Sequence, residues 1–291
     1  NVFMQKILVL DFGGQYNQLI ARRVRDLHVY AEIEQFDAIT PEEISRRGYK
    51  GIIFTGGPNS VYDPESPHYD PKVLELGIPV LGICYGAQLT SWMAGGSVVT
   101  AETSEYGKIE LHVKKNSSLI FTDVPADSVV WMSHTDRISD LPEGFEITAS
   151  TDNCPVAAME NAEKKLYAVQ FHPEVTHSRY GNAMLKNFLY NVCECAGDWQ
   201  MDSFIEDTVA ALREQIGDKK VILGLSGGVD SSVAAGLISR AVGDQLTCVF
   251  VDQGLMRKDE GDFVEKTFTS LFDMYFVRVN CQQHFLDCLK G

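Results

Sequence analysis

Residues 78–92 constrain the fold more than any other stretch, because the spacing of apolar residues changes there from that of a strand to that of a helix. The run 78–83 predicts a short buried strand, and the residues after Gly86 are helical in character, so Cys84 falls at the turn. In such an elbow the central residue has a strained backbone, and small neighbours, here Gly82 and Gly86, relieve the crowding. The sulfur would stand at the positive end of the helix, where a thiolate is favoured. We therefore expect a nucleophile at Cys84, with an ordinary core cysteine as the alternative.

The same alternation of strand and helix extends over most of residues 4–195, which we predict to form the first domain. Its first strands are predicted at residues 6–10, 29–36 and 50–55. Strands that alternate with helices predict an α/β fold with a doubly wound, mostly parallel sheet, whose sites lie at the carboxyl ends of the strands. Between residues 98 and 169, short strands joined by turn residues predict an antiparallel excursion.

A second α/β domain is predicted for residues 200–291, after a boundary near residues 196–198. The alternation restarts there, with strands predicted at residues 221–225, 246–251 and 275–279. Three strands are few for a doubly wound sheet. We therefore expect this domain to be truncated, with only its N-terminal part present and the protein continuing beyond residue 291.

The composition excludes several classes of function. With 25 Lys and Arg against 40 Asp and Glu, the chain carries a formal net charge of −15, which argues against nucleic acid as a partner. The sequence has neither an apolar run long enough to span a bilayer nor a secretory signal, and its seven cysteines lack the spacing of a disulfide scaffold. We therefore expect a cytoplasmic protein without a membrane partner.

Partners for a cysteine nucleophile are found elsewhere in the first domain. His172 and Glu174 follow a predicted strand, on the same sheet edge as Cys84, and could serve as the base and the group that orients it. Acyl transfer also needs donors for an oxyanion. We expect the backbone amide of Tyr85, next to the nucleophile, and that of Gly57, in a glycine-rich loop after a neighbouring strand. His-Pro-Glu or Gly-Gly-Pro alone would indicate only a turn.

A second candidate site is a glycine-rich loop that follows a strand and begins a helix, which is the context of a phosphate-binding loop. Its residues are Ser226, Gly227, Gly228, Val229, Asp230, Ser231 and Ser232. The amides and hydroxyls can face pyrophosphate oxygens, and Asp230 can hold a magnesium ion. The loop lacks the Gly-Lys-Ser/Thr sequence of a Walker motif. A flexible turn is the alternative.

Three motifs of the first domain resemble, in order, the signatures of class I glutamine amidotransferases. They are Phe-Thr-Gly-Gly-Pro at 54–58, Gly-Ile-Cys-Tyr-Gly-Ala-Gln at 82–88 and Gln-Phe-His-Pro-Glu at 170–174. The resemblance implies that Cys84 attacks the glutamine side-chain amide, that His172 shuttles protons and that Glu174 orients His172. It also implies that Gln88 contacts the bound glutamine. Residues 133–136, Ser-His-Thr-Asp, resemble a further substrate-side segment that usually has glycine in place of Thr135.

The loop at 226–232 resembles the pyrophosphatase loop of the N-type ATP pyrophosphatases, and residues 250–258 resemble the next segment of that family. A class I glutaminase followed by this loop is the arrangement of the GMP synthetase family. The resemblance implies that xanthosine monophosphate (XMP) is aminated to GMP with glutamine, ATP and Mg²⁺, releasing glutamate, AMP and pyrophosphate. It also implies a homodimer formed through a region beyond residue 291. Another glutamine-dependent adenylating synthetase and a non-catalytic regulatory module of the same fold stay open as alternatives.

Overall fold

The computed structural model describes residues 4–290 and divides at Trp199 and Gln200 into two compact units. No helix among the described residues has the length and apolar character that crossing a membrane requires. The strands of the first unit are β1 (Lys6–Asp11), β2 (Tyr30–Gln35), β3 (Gly51–Phe54), β4 (Val80–Ile83), β5 (Ser97–Val113), β6 (Asp127–Asp140), β7 (Glu146–Ser150), β8 (Ala158–Asn161) and β9 (Leu166–Val169). Its helices are α1 (Asn17–Asp26), α2 (Pro41–Arg47), α3 (Tyr85–Met93) and α4 (Gly181–Asn187).

The first unit contains one nine-stranded sheet, in the order β2-β1-β3-β4-β9-β8-β7-β5-β6. The five strands from β2 to β9 run parallel, and every pairing beyond β9 is antiparallel. The sequence prediction of an α/β domain with a mostly parallel sheet and an antiparallel excursion is therefore confirmed. Consecutive residues of β1 point to opposite faces: Ile7 packs with α1 and α4, and Leu8 packs with α2 and α3.

The antiparallel excursion contains far longer strands than the sequence predicts. β5 and β6 form a hairpin of 17 and 14 residues, whereas the apolar pattern predicts short strands there, such as 108–113 and 128–131. Burial alternates along β6 without interruption, but His134 and Asp136 occupy inward positions. Polar residues at inward positions break the apolar alternation, so the continuation of both strands is not visible in the sequence.

The first unit ends in a helix that changes its hydrogen-bonding pattern part-way along. α4 passes at Phe188 into a π-helical turn, Phe188–Val192, in which the amide of Cys193 donates to the Phe188 carbonyl over 2.9 Å. Cys193 is buried against Gly51, where a side chain would collide with the sulfur. The two cysteines of the Cys193-x-Cys195 pair are therefore packing residues at a helix end, as the sequence indicates.

The second unit contains a three-stranded parallel sheet in the order β10-β11-β12. Its strands are β10 (Val221–Leu225), β11 (Leu246–Asp252) and β12 (Tyr275–Asn280), and its helices are α5 (Met201–Ile216), α6 (Val229–Val242), α7 (Glu260–Leu271) and α8 (Gln282–Cys288). α6 and α7 pack on one face through a core centred on Leu225, Phe250 and Phe268. α5 packs on α6 through Val209.

Candidate active site

Cys84 lies between β4 and α3 with φ 53° and ψ −109°, a conformation that favours glycine. Its amide donates to the Val169 carbonyl over 2.9 Å, which ties the turn to the neighbouring strand β9. Any side chain at Gly82 would collide with the backbone of Gly86, and one at Gly86 would collide with the Phe54 carbonyl. The two glycines therefore permit the tight turn that puts the Cys84 sulfur at the N-terminus of α3.

His172 lies directly after β9, in a turn that is fixed on both sides. Its amide donates to the Trp131 carbonyl over 2.9 Å, and the Ser178 hydroxyl donates to the His172 carbonyl over 2.6 Å. The His172 Nδ1 atom lies 2.7 Å from Glu174 Oε1. Because a carboxylate can only accept, Nδ1 carries a proton, and Nε2 is the ring nitrogen left for Cys84. Arg23 Nε donates to the Glu174 carbonyl over 3.0 Å.

Burial and charge act in opposite directions on His172. Burial lowers the pKa of its imidazole, but hydrogen bonds to Cys84 and Glu174 outweigh burial and raise that pKa to about 10. Glu174 is only 1% exposed, so its carboxylate has little competition from water. At neutral pH His172 is therefore a cation beside the Cys84 sulfur. An imidazolium in that position can hydrogen-bond the sulfur and give a proton to a leaving group.

The Cys84 thiol opens into a cavity of about 360 Å³ at the carboxyl edge of the parallel strands. The cavity is lined by loops, by the start of α3 and by the strands β5 and β6, with residues that include Gly14, Tyr16, Gly57, Tyr85, Gln88, Tyr106, Ser133, His134, Thr135 and Asp136. Among the described residues, the amides of Gly57 and Tyr85 find no hydrogen-bond acceptor. The structure thus brings Cys84, His172 and Glu174 together with the two amides that the sequence suggests as oxyanion donors.

Gln88 is buried at the base of this cavity, one turn into α3. Its Nε2 atom donates to the Asp136 carbonyl over 3.0 Å and to Gln170 Oε1 over 3.2 Å. Gln170 in turn approaches the Cys84 sulfur, with Nε2 at 3.7 Å. The sequence patterns alone predict no role for Gln170, although it is the first residue of the motif that contains His172.

Thr135, where the related segment usually has glycine, lies at the edge of the cavity. Its hydroxyl is 2.7 Å from the hydroxyl of Tyr106, on the facing strand β5. Asp136 accepts a hydrogen bond from Tyr62 over 3.0 Å through its side chain. The Thr135 side chain thus binds the facing strand and the Asp136 side chain binds a neighbouring loop, which together hold this part of the cavity wall.

Asp11 organises a further loop of the cavity that the sequence patterns do not assign to the site. Its carboxylate accepts from the Gly13 amide over 2.7 Å, from the Asn17 side chain and from Gln35 Nε2 over 2.8 Å. These bonds hold the first strand-to-helix loop, and a side chain at Gly14 would come within 2.5 Å of the Gly56 carbonyl. Asp11 could have been recognised as a carboxylate that directly precedes a Gly-Gly pair at the end of a buried strand.

The predicted phosphate loop of the second unit connects β10 to α6 and is exposed. Gly227 has φ +81°, and Gly228 is the N-cap of α6. The Ser226 and Ser231 hydroxyls lie 3.0 Å apart, and the Ser232 hydroxyl donates to the Gly228 carbonyl over 2.7 Å. The Ser226 and Gly228 amides bond to serine hydroxyls of the same loop over 3.3 Å. The loop nevertheless presents the start of a 14-residue helix to solvent, as anion binding requires.

Asp230 occupies the first turn of α6 and is exposed. One carboxylate beside a phosphate loop fits the usual way in which proteins hold magnesium, mainly through nucleotide phosphates and water. A second carboxylate, Asp252, ends β11 but is 4% exposed and is bound by Arg278 over 2.7 Å. In this structure Asp252 serves the packing of β11 against β12, whereas Asp230 is free to face a ligand.

Comparison with known families agrees with this geometry. The family model for class-I glutamine amidotransferases matches residues 8–192, which include Cys84, His172 and Glu174. The chain belongs to the class I glutamine amidotransferase family. A second family model, that of NAD synthase, matches residues 200–269, which include the phosphate loop. The resemblance inferred from the motifs is therefore confirmed: a class I amidotransferase domain is followed by a unit similar to the start of an N-type ATP pyrophosphatase.

Curated relatives match both units together. A protein from Ruminiclostridium cellulolyticum named GMP synthase [glutamine-hydrolyzing] is 59% identical over 99% of this chain and 56% of its own length. Relatives with the same name from Clostridium botulinum and Alkaliphilus metalliredigens are 59% and 57% identical over 98% of this chain. The amidotransferase chain spans about half the length of these relatives.

Two solved structures match the first unit. A Thermoplasma acidophilum protein described as a candidate GMP synthase subunit is 33% identical, with a TM-score of 0.56 over 67% of this chain and 96% of its own. A glutamine amidotransferase from Thermotoga maritima is 18% identical, with a TM-score of 0.55 over 66% of this chain and 99% of its own. The second likeness establishes the fold alone.

Proposed function

We propose that this amidotransferase is the glutaminase part, with the beginning of the synthetase part, of a glutamine-dependent GMP synthetase. The observation that carries the proposal is the alignment of Cys84, His172 and Glu174 around one cavity, on a chain whose second unit carries an exposed phosphate loop. The identity of 59% to proteins named GMP synthase supports the choice of acceptor.

The first half of the proposed reaction releases ammonia. The Cys84 thiolate attacks the side-chain amide carbon of glutamine, and the amide oxygen takes up the negative charge. Gly57 and Tyr85 donate their amides to that oxyanion. His172, protonated beside Glu174, gives its Nε2 proton to the departing nitrogen, so the C–N bond breaks and a glutamyl thioester stays on Cys84.

The second half regenerates the site. His172 is neutral after donating its proton, so it can accept one from a water molecule that attacks the thioester carbon. The C–S bond breaks, glutamate leaves, and the pair returns to thiolate and imidazolium. Glu174 stays ionised throughout, since its task is to fix the ring and stabilise its positive form. Gln88 and Gln170 would hold the amide end of glutamine at the base of the cavity.

The second unit would activate the acceptor with ATP. The loop 226–232 would hold the pyrophosphate part of the nucleotide through its amides and hydroxyls, and Asp230 would hold Mg²⁺. The metal supplies charge neutralisation at the phosphates when bound. Transfer of AMP to XMP releases pyrophosphate, and ammonia then displaces AMP to give GMP. A cytoplasmic location, expected from the sequence composition, and a homodimer, implied by the family resemblance, are further parts of the proposal.

Glutamate release from glutamine, with and without ATP, Mg²⁺ and XMP, tests the first site. Cys84→Ala should reduce release to background, because no other group forms the thioester, whereas Cys288→Ala, which removes an exposed cysteine of the second unit, should leave it unchanged. Equal release by the Cys84→Ala variant would overturn the assignment of the nucleophile.

ATP binding by the chain, followed with a fluorescent ATP analogue, tests the second site. Asp230→Ala should weaken Mg²⁺-dependent binding and leave basal glutaminase activity intact. The matched control is Asp244→Ala, which removes another carboxylate of the same unit. Loss of glutaminase activity with unchanged nucleotide binding would contradict the division of labour between the two units.

A different glutamine-dependent adenylating synthetase is the second candidate, and the match of residues 200–269 to NAD synthase favours it. Stimulation of glutaminase activity by nucleotides separates the two. Stimulation by ATP with XMP supports GMP synthesis, whereas stimulation by ATP with a deamidated nicotinamide dinucleotide supports the alternative.

A further inference from the structure

A second cluster of cysteine, histidine and glutamate lies behind the active-site cavity. Glu105 on β5 and His134 on β6 are direct cross-strand partners, and Cys154 lies in the connection between β7 and β8. All three residues are buried, and their potential ligand atoms lie within 4.8 Å of one another. The mechanism proposed above uses none of the three. Their chemistry therefore needs a separate explanation.

A histidine ring and a carboxylate face each other inside this cluster. The Nδ1 atom of His134 lies 2.8 Å from the Asp136 carbonyl, which can only accept, so Nδ1 carries a proton and Nε2 is the ring nitrogen left for the cluster. Nε2 lies 3.2 Å from Glu105 Oε2. A ring nitrogen and a carboxylate oxygen this close together in the core can serve as ligands of one cation.

The residues around the cluster fix its ligand atoms in the way that outer-shell partners fix metal ligands. The Asp136 carbonyl sets the tautomer of His134 and leaves Nε2 facing inward. The Thr151 hydroxyl donates to Glu105 Oε1 over 2.7 Å and accepts from the Cys154 amide over 2.9 Å. The Cys154 thiol itself donates to the Val156 carbonyl over 3.5 Å.

We propose that Glu105, His134 and Cys154 form a binding site for one Zn²⁺ ion. A thiolate, an imidazole and a carboxylate are the ligand types that zinc prefers, and three protein ligands leave a fourth position for water or a small ligand. The separations of at most 4.8 Å are near the ligand spacing of a zinc tetrahedron, about 3.3–3.7 Å, so a small movement of the thiol completes the set. His134 lines the active-site cavity, which gives the ion a path from solvent.

Zinc binding at this site would affect the active-site cavity through a shared hydrogen-bond acceptor. The Asp136 carbonyl accepts from His134 Nδ1 and also from Gln88 Nε2, so one carbonyl oxygen joins the zinc site to the base of the cavity.

Cobalt(II) is the probe that tests the site, since it replaces zinc in tetrahedral sites and its thiolate complexes absorb in the near ultraviolet. Titration is done on the Cys84→Ala chain, because Cys84 with His172 would otherwise offer a second thiol site. We expect one equivalent of Co²⁺ with a thiolate charge-transfer band, bleached by one equivalent of Zn²⁺. The band should be absent from Cys84→Ala/Cys154→Val, which keeps a similar volume in the core.

Glu105→Gln in the Cys84→Ala background keeps the thiol and the shape, and should weaken Co²⁺ binding at least about tenfold. The other described cluster of potential ligands, Glu110, His112 and Asp127, has no cysteine and cannot produce the band. Absence of the band from Cys84→Ala, or a band that survives Cys154→Val, overturns the proposal. Circular dichroism of each variant shows that it is folded. None of these outcomes depends on glutaminase activity, so the zinc site and the proposed reaction are tested separately.

Discussion

The side-chain amides of Gln88 and Gln170 are joined by a hydrogen bond of 3.2 Å, and Gln170 extends this contact to the sulfur of Cys84. α3 and β9 thus meet at the nucleophile through two buried amides. The arrangement fixes both the Cys84 thiol and the part of the cavity where the glutamine amide would lie.

Replacing Gln170 by methionine should lower glutaminase kcat/KM roughly 30-fold, because two hydrogen bonds worth about 1 kcal/mol each are lost while the side-chain volume is kept. Steady-state glutamate release measures the effect. Gln245→Met, which removes an amide from the second unit, is the control and should not change kcat/KM. Full activity of Gln170→Met would mean that Cys84 needs no support from this amide.

The pH dependence of Cys84 alkylation should change in Glu174→Gln. Glu174 helps to raise the pKa of His172 to about 10, so removing its charge lowers that pKa towards the ordinary value of 6.5. In the parent chain His172 stays protonated through neutral pH. In the variant it loses its proton at lower pH, and a new titration in the alkylation rate should be seen between the two values. Iodoacetamide labelling at a series of pH values, measured by mass spectrometry, tests this prediction. Coinciding pH profiles for the parent chain and the variant would contradict it. We expect kcat to fall about 100-fold or more.

The elbow glycines should tolerate no side chain. Gly82→Ala and Gly86→Ala each force a methyl group into a backbone carbonyl, so each should destabilise the first unit by about 2–3 kcal/mol or more. Gly224→Ala is the matched control, since no atom lies within 4 Å of a methyl group at that strand position. Urea unfolding of the three variants measures the difference. Equal stabilities would show that the turn can relax.

Arg278→Met should destabilise the second unit most at neutral pH. Its guanidinium lowers the pKa of the Asp252 carboxyl, which is 4% exposed. A carboxyl with a lowered pKa stabilises the fold above its unfolded value and loses that contribution as the pH falls through the folded one. The deficit of the variant should therefore shrink below about pH 4. Melting temperatures from pH 3 to pH 7 test this, with Arg257→Met as control. A deficit that does not change with pH would assign Arg278 a packing role alone.

The sequence predicts those parts of the fold and site that depend on local patterns. The elbow at Cys84 is visible because an apolar strand, two glycines and a helix adjoin it, and α5 (Met201–Ile216) is visible from its amphipathic spacing. The class I motifs identify His172 and Glu174, which follow a strand that is distant in sequence. Predicting these features requires only residues that are neighbours in the sequence or that lie at the same edge of the sheet.

Features that depend on long-range packing are not predicted. The continuation of β5 and β6 through residues 101–106 and 133–137 is obscured by Glu105, His134 and Asp136, which lie at inward positions and bond to one another across the hairpin. Gln170 contacts a residue 86 positions away in sequence. The π-helical turn at Phe188 follows from packing rather than from composition. No local pattern specifies any of these.

The left-handed backbone at Cys84 sets the stability of the fold against the presence of a nucleophile. A non-glycine residue with φ 53° costs on the order of 1–3 kcal/mol, which glycine at the same position would recover. The most stable sequence for this turn is therefore one that cannot attack an amide. Selection for stability alone would replace this nucleophile, so its presence indicates selection for catalysis.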